Sequence, residues 1–266
     1  MKIFKNKHEL HKEILTDKSI SFVPTMGGLH KGHVYLIKKS KKFKGKTLVS
    51  IFVNPKQFNN KKDFKRYYRN VKKDLKILDK LKVNYVYLPN KKDIFSFKPK
   101  NKIFLDKFSK KLCGNFRKGH FEGVLDVVNR FLEIIKPKFV FLGTKDFQQL
   151  YLIKKHILKR KIQTKVISCK TIREKNGIAC STRNKNLNQK QLKIASKVYN
   201  YLSKIKNKSF KKFSSIKNDL INFGVKKIDY IECYNLKTLK RSKIINKKYK
   251  IFIAYYLNNI RLIDNI

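Results

Sequence analysis

A chain of 266 residues is long enough to bury the core of one large domain or two modest ones, and we favour two. Its 67 Lys+Arg and 17 Asp+Glu give a formal charge of +50, which first suggests a nucleic-acid partner. However, the positive residues are nearly all lysines, spread among many Asn and Ile rather than gathered in one block, as A/T-rich codons would produce. We therefore attribute the charge to genome composition. We do not expect a specific nucleic acid as a partner. We do expect unspecific, salt-sensitive adhesion to polyanions.

The cysteines at 113, 169, 180 and 233 form no Cys-x-x-Cys pair and no His–Cys metal spacing. Isolated thiols of this kind are typical of a reduced, cytoplasmic protein. Residues 1–10 are charged and lack an apolar signal core, and no run approaches the roughly 20 apolar residues of a membrane span. The expectation is a cytoplasmic chain with no membrane partner.

The first 170 residues alternate between strand and helix patterns. A short amphipathic helix is predicted within 2–18. Later elements are predicted as strands at 20–23, 47–53, 83–88, 138–142 and 162–168, and as helices at 32–42, 70–81, 121–135 and 146–158. Prolines after the first three strands predict strand ends there. This alternation of strands and helices is typical of an α/β fold with a Rossmann-like doubly wound parallel sheet. In such sheets, ligands bind beyond the carboxyl ends of the strands.

After residue 170 the rhythm changes. Helices are predicted at 189–205 and 209–222, and short strands at 228–233 and 251–257. This pattern indicates a smaller α+β domain. We therefore expect a Rossmann-like domain at 1–170 and a smaller C-terminal domain at 171–266.

A glycine-rich segment with two histidines follows the first predicted strand, Phe-Val-Pro-Thr-Met-Gly-Gly-Leu-His-Lys-Gly-His at 22–33. It predicts a strand, a turn and a helix N-terminus. Backbone N–H groups and the positive end of the helix dipole converge above such a turn, so a phosphate is the expected ligand. Gly27, Gly28 and Gly32 permit close backbone approach. His30 and His33 project from one side of the first helical turn and can donate to phosphate oxygens, although such a pair alone is an ordinary surface feature.

Three further segments place polar side chains after strands or in loops. Residues 54–58, Asn-Pro-Lys-Gln-Phe, present neutral amides that suit a hydroxy acid, with an ordinary polar loop as the alternative. In residues 143–149, Gly-Thr-Lys-Asp-Phe-Gln-Gln, Lys145 can neutralise phosphate charge and Asp146 can accept from a ribose hydroxyl. Residues 180–184, Cys-Ser-Thr-Arg-Asn, hold a Ser and an Arg that can clamp a phosphate.

The order of these segments resembles the pantothenate synthetase (pantoate–β-alanine ligase) family of the His-x-Gly-His nucleotidyltransferase-like superfamily, over roughly residues 20–190. The resemblance implies an ATP-dependent ligase that works in two steps and forms a homodimer. The carboxylate of (R)-pantoate attacks the α-phosphorus of ATP, giving pantoyl adenylate and pyrophosphate. The amine of β-alanine then displaces AMP and leaves pantothenate. Such chemistry asks the protein mainly for positioning and charge neutralisation.

The resemblance also implies roles for the two expected domains. Residues 1–170 would bind the nucleotide and pantoate, and residues 171–266 would form a lid. The triphosphate and its transition state would be contacted by His30 and His33.

Charge on the leaving pyrophosphate would be neutralised by Lys145, Ser181 and Arg183. The full ATP site that the motifs imply comprises Met26, Gly27, Gly28, Leu29, His30, Lys31, Gly32, His33, Gly143, Thr144, Lys145, Asp146, Ile172, Cys180, Ser181, Thr182 and Arg183. Where this chain has residues 180–184, the family usually has Met-Ser-Ser-Arg-Asn, so Cys180 and Thr182 are departures, and we expect them to have little effect.

The resemblance further implies that Gln57 and Gln149 hold pantoate, and that Gln57 later contacts β-alanine. Asp74 falls where the family has an acidic residue associated with Mg²⁺, but Lys73 stands where a second acid is often found. Metal binding is therefore expected to rely on ATP oxygens and Asp74. The alternative is that Asp74 is a surface helix residue that pairs with lysines. His120 is either a wall of the substrate pocket or a capping residue.

Two rival functions remain at this point. One is a different His-x-Gly-His adenylyltransferase, for example one that makes a dinucleotide cofactor. The segments at 54–57 and 148–149 argue against it, because they suit a small hydroxy acid. The other is a basic nucleic-acid-binding module on an inactive enzyme scaffold. A salt titration separates this rival from the ligase, because adhesion to polyanions collapses with salt whereas binding in a pocket does not.

Overall fold

The computed structural model describes residues 1–58, 61–208, 213–242 and 249–266. The chain divides into two compact units. The first comprises residues 1–109 and 117–171, and the second comprises residues 110–116 and 172–266. The excursion at 110–116, in which the chain joins the second unit and then returns to the first, was not predicted from the sequence.

A parallel sheet forms the centre of the first unit. Its strands are β1 (Lys2–Phe4), β2 (Ile20–Thr25), β3 (Lys46–Ile51), β4 (Tyr85–Tyr87), β5 (Phe139–Gly143) and β6 (Lys165–Cys169). They lie in the order β1-β4-β3-β2-β5-β6, and every described pair is parallel. The chain builds outward from β2 to β3 and β4, then returns to the other side of β2 with β5. This confirms the doubly wound sheet and places its topological switch point between β2 and β5, where ligands bind in such folds.

Helices cover both faces of this sheet. In chain order the helices of the first unit are α1 (Lys7–Ile14), α2 (Lys31–Ser40), α3 (Lys61–Arg66), α4 (Val71–Lys80), α5 (Lys91–Phe95), α7 (His120–Ile135) and α8 (Phe147–Lys159). The short helix α6 (Cys113–Phe116) is part of the second unit. On one face Phe131 of α7 packs against Phe22 and Tyr87. On the other face Val23 packs in a cluster with Ile37. Adjacent residues of β2 thus point to opposite faces, as a strand buried on both sides requires.

The short helix predicted within 2–18 is confirmed as α1. The same segment begins with β1, which was not predicted, because Lys2–Phe4 adds to the edge of the sheet beside β4. The expected strand end before Pro24 is wrong: β2 continues to Thr25, and Pro24 pairs with Ser50 of β3. The described pairs between β2 and β5 end at Phe22, so Pro24 lies where the strand has lost one neighbour, a position that tolerates the missing N–H.

The second unit is a small α+β assembly, as predicted. Two further helices, α9 (Gln189–Lys208) and α10 (Phe213–Asn222), pack on an antiparallel sheet of β7 (Lys227–Tyr234), β8 (Arg241–Ser242), β9 (Lys250–Leu257) and β10 (Ile260–Asn265) in the order β10-β9-β7-β8. The predicted start of the second helix, 209–212, lies outside the described residues. Across the described parts of the chain, no helix combines the length and apolar character that a bilayer span needs.

Candidate active site

The glycine-rich turn at the end of β2 is held in a conformation that only glycine adopts readily. Gly27 and Gly28 have φ values of 75° and 64°, in the left-handed region. A Cβ on Gly27 would also lie 3.0 Å from Asp74 Oδ2 and 3.1 Å from Ile51 Cγ2. Both backbone conformation and space therefore demand glycine at position 27.

Asp74, which lies in the first helical turn of α4, stabilises the glycine-rich turn by hydrogen bonds. Its Oδ2 accepts from the Gly28 N–H and its Oδ1 from the Leu29 N–H, both at 2.8 Å. The side chain is only 2% exposed, so the alternative in which Asp74 is a surface residue paired with lysines is wrong. Each carboxylate oxygen already serves a backbone donor, and no cluster of three His, Cys, Asp or Glu among the described residues could hold a metal ion. The described residues therefore offer no metal site built from three such side chains, but each Asp74 oxygen keeps a second lone pair, so contact of Asp74 with magnesium held on ATP oxygens stays a prediction.

We expect Asp74→Ala to lower the free energy of unfolding by about 2–4 kcal/mol, because each buried N–H left without an acceptor costs about 1–3 kcal/mol. Asp74→Asn keeps one acceptor and should have a stability between those of Asp74→Ala and the wild type. Urea unfolding followed by circular dichroism measures the difference. The matched control is Asp79→Ala on the exposed face of the same helix. Equal losses for the Asp74 and Asp79 variants would contradict the stabilising role of Asp74.

The two histidines of the turn face each other at the N-terminus of α2. His30 is the N-cap of this helix, and its Nδ1 accepts from the Gly32 N–H at 3.1 Å. His33 Nδ1 lies 3.4 Å from the His30 backbone nitrogen, and the two ring centroids are 4.0 Å apart. Because both Nδ1 atoms act as acceptors, the proton of each neutral imidazole is on Nε2. The fold thus selects the tautomer that can donate from Nε2 to a phosphate oxygen.

The segment that follows β5 lies beside this turn, because β5 is the neighbour of β2 in the sheet. A Cβ built on Gly143 would meet no atom within 4 Å, so there is open space beyond the strand end. Lys145 and Asp146 follow in a 3₁₀ helix (Thr144–Asp146), with 3.3 Å between Lys145 Nζ and Asp146 Oδ1. The Thr144 hydroxyl lies 3.2 Å from that of Thr171. The predicted phosphate-neutralising lysine and the histidine turn therefore occupy the same edge of the sheet.

Among the neutral amides, the structure separates two half-buried candidates from two that serve the fold. Gln57 ends a 3₁₀ helix (Pro55–Gln57) after β3, and Gln149 lies in the first turn of α8; both are half-buried. Asn54, by contrast, is fully buried, donates to the Gly123 carbonyl at 2.9 Å and accepts from the Lys56 N–H. Gln148 is buried and donates to the Phe108 carbonyl at 2.8 Å. The expectation that Asn54 presents its amide to a hydroxy acid is therefore wrong.

Five of the predicted ATP-site residues belong to the second unit: Ile172, Cys180, Ser181, Thr182 and Arg183. The Cys180 N–H donates to the Ile172 carbonyl at 2.9 Å. Ser181 caps a 3₁₀ helix (Thr182–Asn186), and its Oγ accepts from the Arg183 N–H at 3.3 Å. The side chains of Cys180 and Thr182 are buried, and the Cys180 thiol contacts Glu174 Oε1 at 3.2 Å. Both departures from the family pattern are therefore buried side chains within the second unit.

Two arginines that support these loops were not predicted from the sequence. Arg173 forms a bidentate pair with Asp264, at 2.7 and 3.0 Å, and its guanidinium stacks over the Tyr199 ring. Arg117 donates to the Gln57 carbonyl at 2.8 Å, beside His120. Their residue type could have indicated them. Lysine supplies nearly all of the positive charge in this chain, so an arginine is uncommon.

Comparisons with known proteins agree with this geometry. The pantoate-beta-alanine ligase family model matches residues 2–266. The pantothenate synthetase of Flavobacterium psychrophilum is 40% identical over 265 residues, which cover 96% of this chain and 94% of the relative. That of Francisella tularensis subsp. novicida is 38% identical over 267 residues, covering 98% of this chain and 94% of the relative.

Solved structures give the same result. The crystal structure of pantoate-beta-alanine ligase from Francisella tularensis, complexed with beta-gamma ATP and beta-alanine, matches with a TM-score of 0.89 and 38% identity, covering 100% of this chain and 97% of the other. Pantothenate synthetase from Thermus thermophilus matches with a TM-score of 0.91 and 26% identity, covering 100% and 99%. Matches of this extent, together with the histidine turn and Lys145 at one switch point, show that the chain belongs to the pantoate–β-alanine ligase family.

Proposed function

We propose that this ligase joins (R)-pantoate to β-alanine through a pantoyl adenylate, releasing pyrophosphate and then AMP. The observation that carries the proposal is the edge of the sheet at the β2–β5 switch point. There, a turn with two Nε2–H histidines lies beside a loop that bears Lys145. Such an edge offers backbone and side-chain donors to a triphosphate, and no covalent nucleophile is required.

In the first step, the pantoate carboxylate attacks the α-phosphorus of ATP and the bond from that phosphorus to the β-phosphate oxygen breaks. Negative charge grows on the leaving pyrophosphate. The Nε2–H groups of His30 and His33 and the ammonium of Lys145 supply donors and positive charge for the triphosphate as this happens. Ser181 and Arg183, which we also assign to phosphate, belong to the second unit.

In the second step, the amine of β-alanine attacks the acyl carbon of the adenylate, AMP leaves and the new amide loses a proton. Gln57 and Gln149 are assigned to the hydroxyl and carboxylate end of pantoate because both lie at strand ends or helix starts near this edge and are half-buried. The relative from Francisella tularensis, crystallised with beta-gamma ATP and beta-alanine, supports ATP and β-alanine as substrates here. ATP is taken as its magnesium complex, and a homodimer is the assembly that the family resemblance implies.

The test measures pyrophosphate and AMP release from MgATP by the purified chain, with pantoate alone, β-alanine alone, and both. We expect steady release of both products only when both substrates are present. Pantoate alone should give at most about one equivalent of pyrophosphate per active site, because the adenylate stays bound. Steady AMP release with β-alanine alone, or no response to pantoate, would contradict the adenylate route.

A further inference from the structure

The carbonyl of Gln57 accepts hydrogen bonds from two basic side chains at once. Arg117 Nη2 donates to it at 2.8 Å, and His120 Nδ1 lies 2.7 Å from it. The same two side chains also contact each other, with Arg117 Nη1 at 3.0 Å from His120 Nε2. Three contacts thus form a closed triangle, which we call the Gln57 clamp.

The clamp defines the protonation state of His120. A carbonyl oxygen can only accept, so Nδ1 carries a proton and donates it to Gln57. An arginine nitrogen can only donate, so Nε2 must accept from Arg117 and carries no proton. His120 is therefore neutral and in the Nδ1–H tautomer, opposite to the tautomer of His30 and His33. Its two nitrogens are both engaged in holding the backbone at residue 57.

The neighbouring residues of the loop at 54–57 pack on the first turn of α7. A Cβ on Gly123 would lie 2.4 Å from the Lys56 carbonyl oxygen, so only glycine lets the loop approach this closely. The buried Asn54 amide donates to the Gly123 carbonyl from the same loop. Gln57 is thus fixed at its carbonyl, and its neighbours are fixed by α7, which restricts the directions that its side-chain amide can take.

We propose that Arg117 and His120 are positioning residues for the pantoate site, acting on the substrate through the backbone of Gln57. This inference rests on the proposed function, in which Gln57 holds the hydroxy acid. A charged donor and a neutral imidazole that converge on one carbonyl fix its plane, and with it the Cα–Cβ direction of Gln57. The binding of ATP, assigned to other loops, should not depend on the clamp.

The first test is steady-state kinetics of His120→Phe and Arg117→Met. We expect KM for pantoate to rise about tenfold, the value of one hydrogen bond to a charged or well-placed group, with KM for ATP within about twofold of wild type. His120→Asn can still donate to the Gln57 carbonyl and should recover part of the loss. Lys118→Met, an exposed neighbour, is the matched control for loss of charge and should behave as wild type.

A double-mutant cycle shows whether the clamp acts through Gln57. Gln57→Ala removes the side chain that is positioned but keeps the carbonyl. In that background, His120→Phe should add no further increase in KM for pantoate. An increase of the same size as in the wild-type background would overturn the proposal, because His120 would then act on the substrate directly.

Amide exchange tests the clamp without relying on activity. The N–H groups of Gln57 and Phe58 close the turn by donating to the carbonyls of Asn54 and Pro55, each at 3.1 Å. We expect these amides to exchange about tenfold faster in His120→Phe, with the amides of α8 unchanged. Unchanged exchange at 57 and 58 would overturn the proposal. A wild-type chain that shows no response to pantoate would overturn the proposed function instead, while the clamp would still be judged by exchange.

Discussion

Replacing His33 with asparagine should lower pantoate-dependent pyrophosphate release by about 10²-fold or more, the usual effect of removing one preorganised donor from a charged transition state. The asparagine Oδ1 can take the place of His33 Nδ1 and still accept from the His30 N–H, whose nitrogen lies 3.4 Å from Nδ1 in the native turn. What this variant loses is the Nε2–H. Rapid-quench measurement of pyrophosphate from the enzyme with saturating MgATP and pantoate isolates the first chemical step.

His33→Gln is the matched control for this prediction. Its amide nitrogen can reach the position of Nε2 and donate there, but it gives no acceptor near the His30 N–H. We therefore expect His33→Gln to be the less stable variant and the more active one. If His33→Asn keeps a rate near that of the wild type, the Nε2–H is not needed for the first step, and the assignment of His33 to the triphosphate fails.

Replacing Lys145 with methionine should also lower pyrophosphate release by about 10²-fold or more, because the apolar tail is kept while the ammonium that offsets the growing charge is lost. The Lys145 side chain is only 18% exposed, so water screens its charge less than it screens the charge of a surface lysine. Lys145→Arg keeps the charge with a different shape and should retain an intermediate rate. The measurement is the same rapid-quench assay.

The high charge of this chain makes a control for Lys145 essential. A formal charge of +50 could attract ATP from any direction, and the loss of any one lysine could then slow the reaction slightly. Lys154→Met, on an exposed position of α8, makes the same change of charge away from the strand ends. It should stay within about twofold of wild type, as expected for a surface substitution. If Lys145→Met and Lys154→Met lower the rate of pyrophosphate release equally, only the overall electrostatic field of the protein is important.

The strand and helix rhythm of the first unit could be predicted because each buried strand is a short β-branched or aromatic run and each helix shows apolar periodicity. For example, Leu48, Val49 and Ile51 are all buried in β3. Elements whose stability comes from a distant partner could not be predicted in the same way. β1 is only three residues long and is a strand only because β4 lies beside it.

The candidate site divides along the same line. The place of His30 and His33 at a helix start after a glycine-rich turn could be predicted from the local sequence, and their roles toward phosphate, like that of Lys145, stay predictions. Asp74 was recognised as a special acid, but the sequence could not show that its oxygens bind the N–H groups of a turn more than 40 residues away. The same holds for Arg117, which reaches Gln57 from another part of the chain.

Short segments of contiguous residues were enough to predict the α/β class, the glycine-rich turn before α2 and the family to which the chain belongs. Which polar side chains serve the fold, and which remain for substrate, depends instead on tertiary contacts. Asn54 and Gln148 are buried against backbone carbonyls, while Gln57 stays half-buried. The difference arises because the cost of a buried polar group is offset by a hydrogen-bond partner, and that partner is brought into place by the packing of segments distant in the chain.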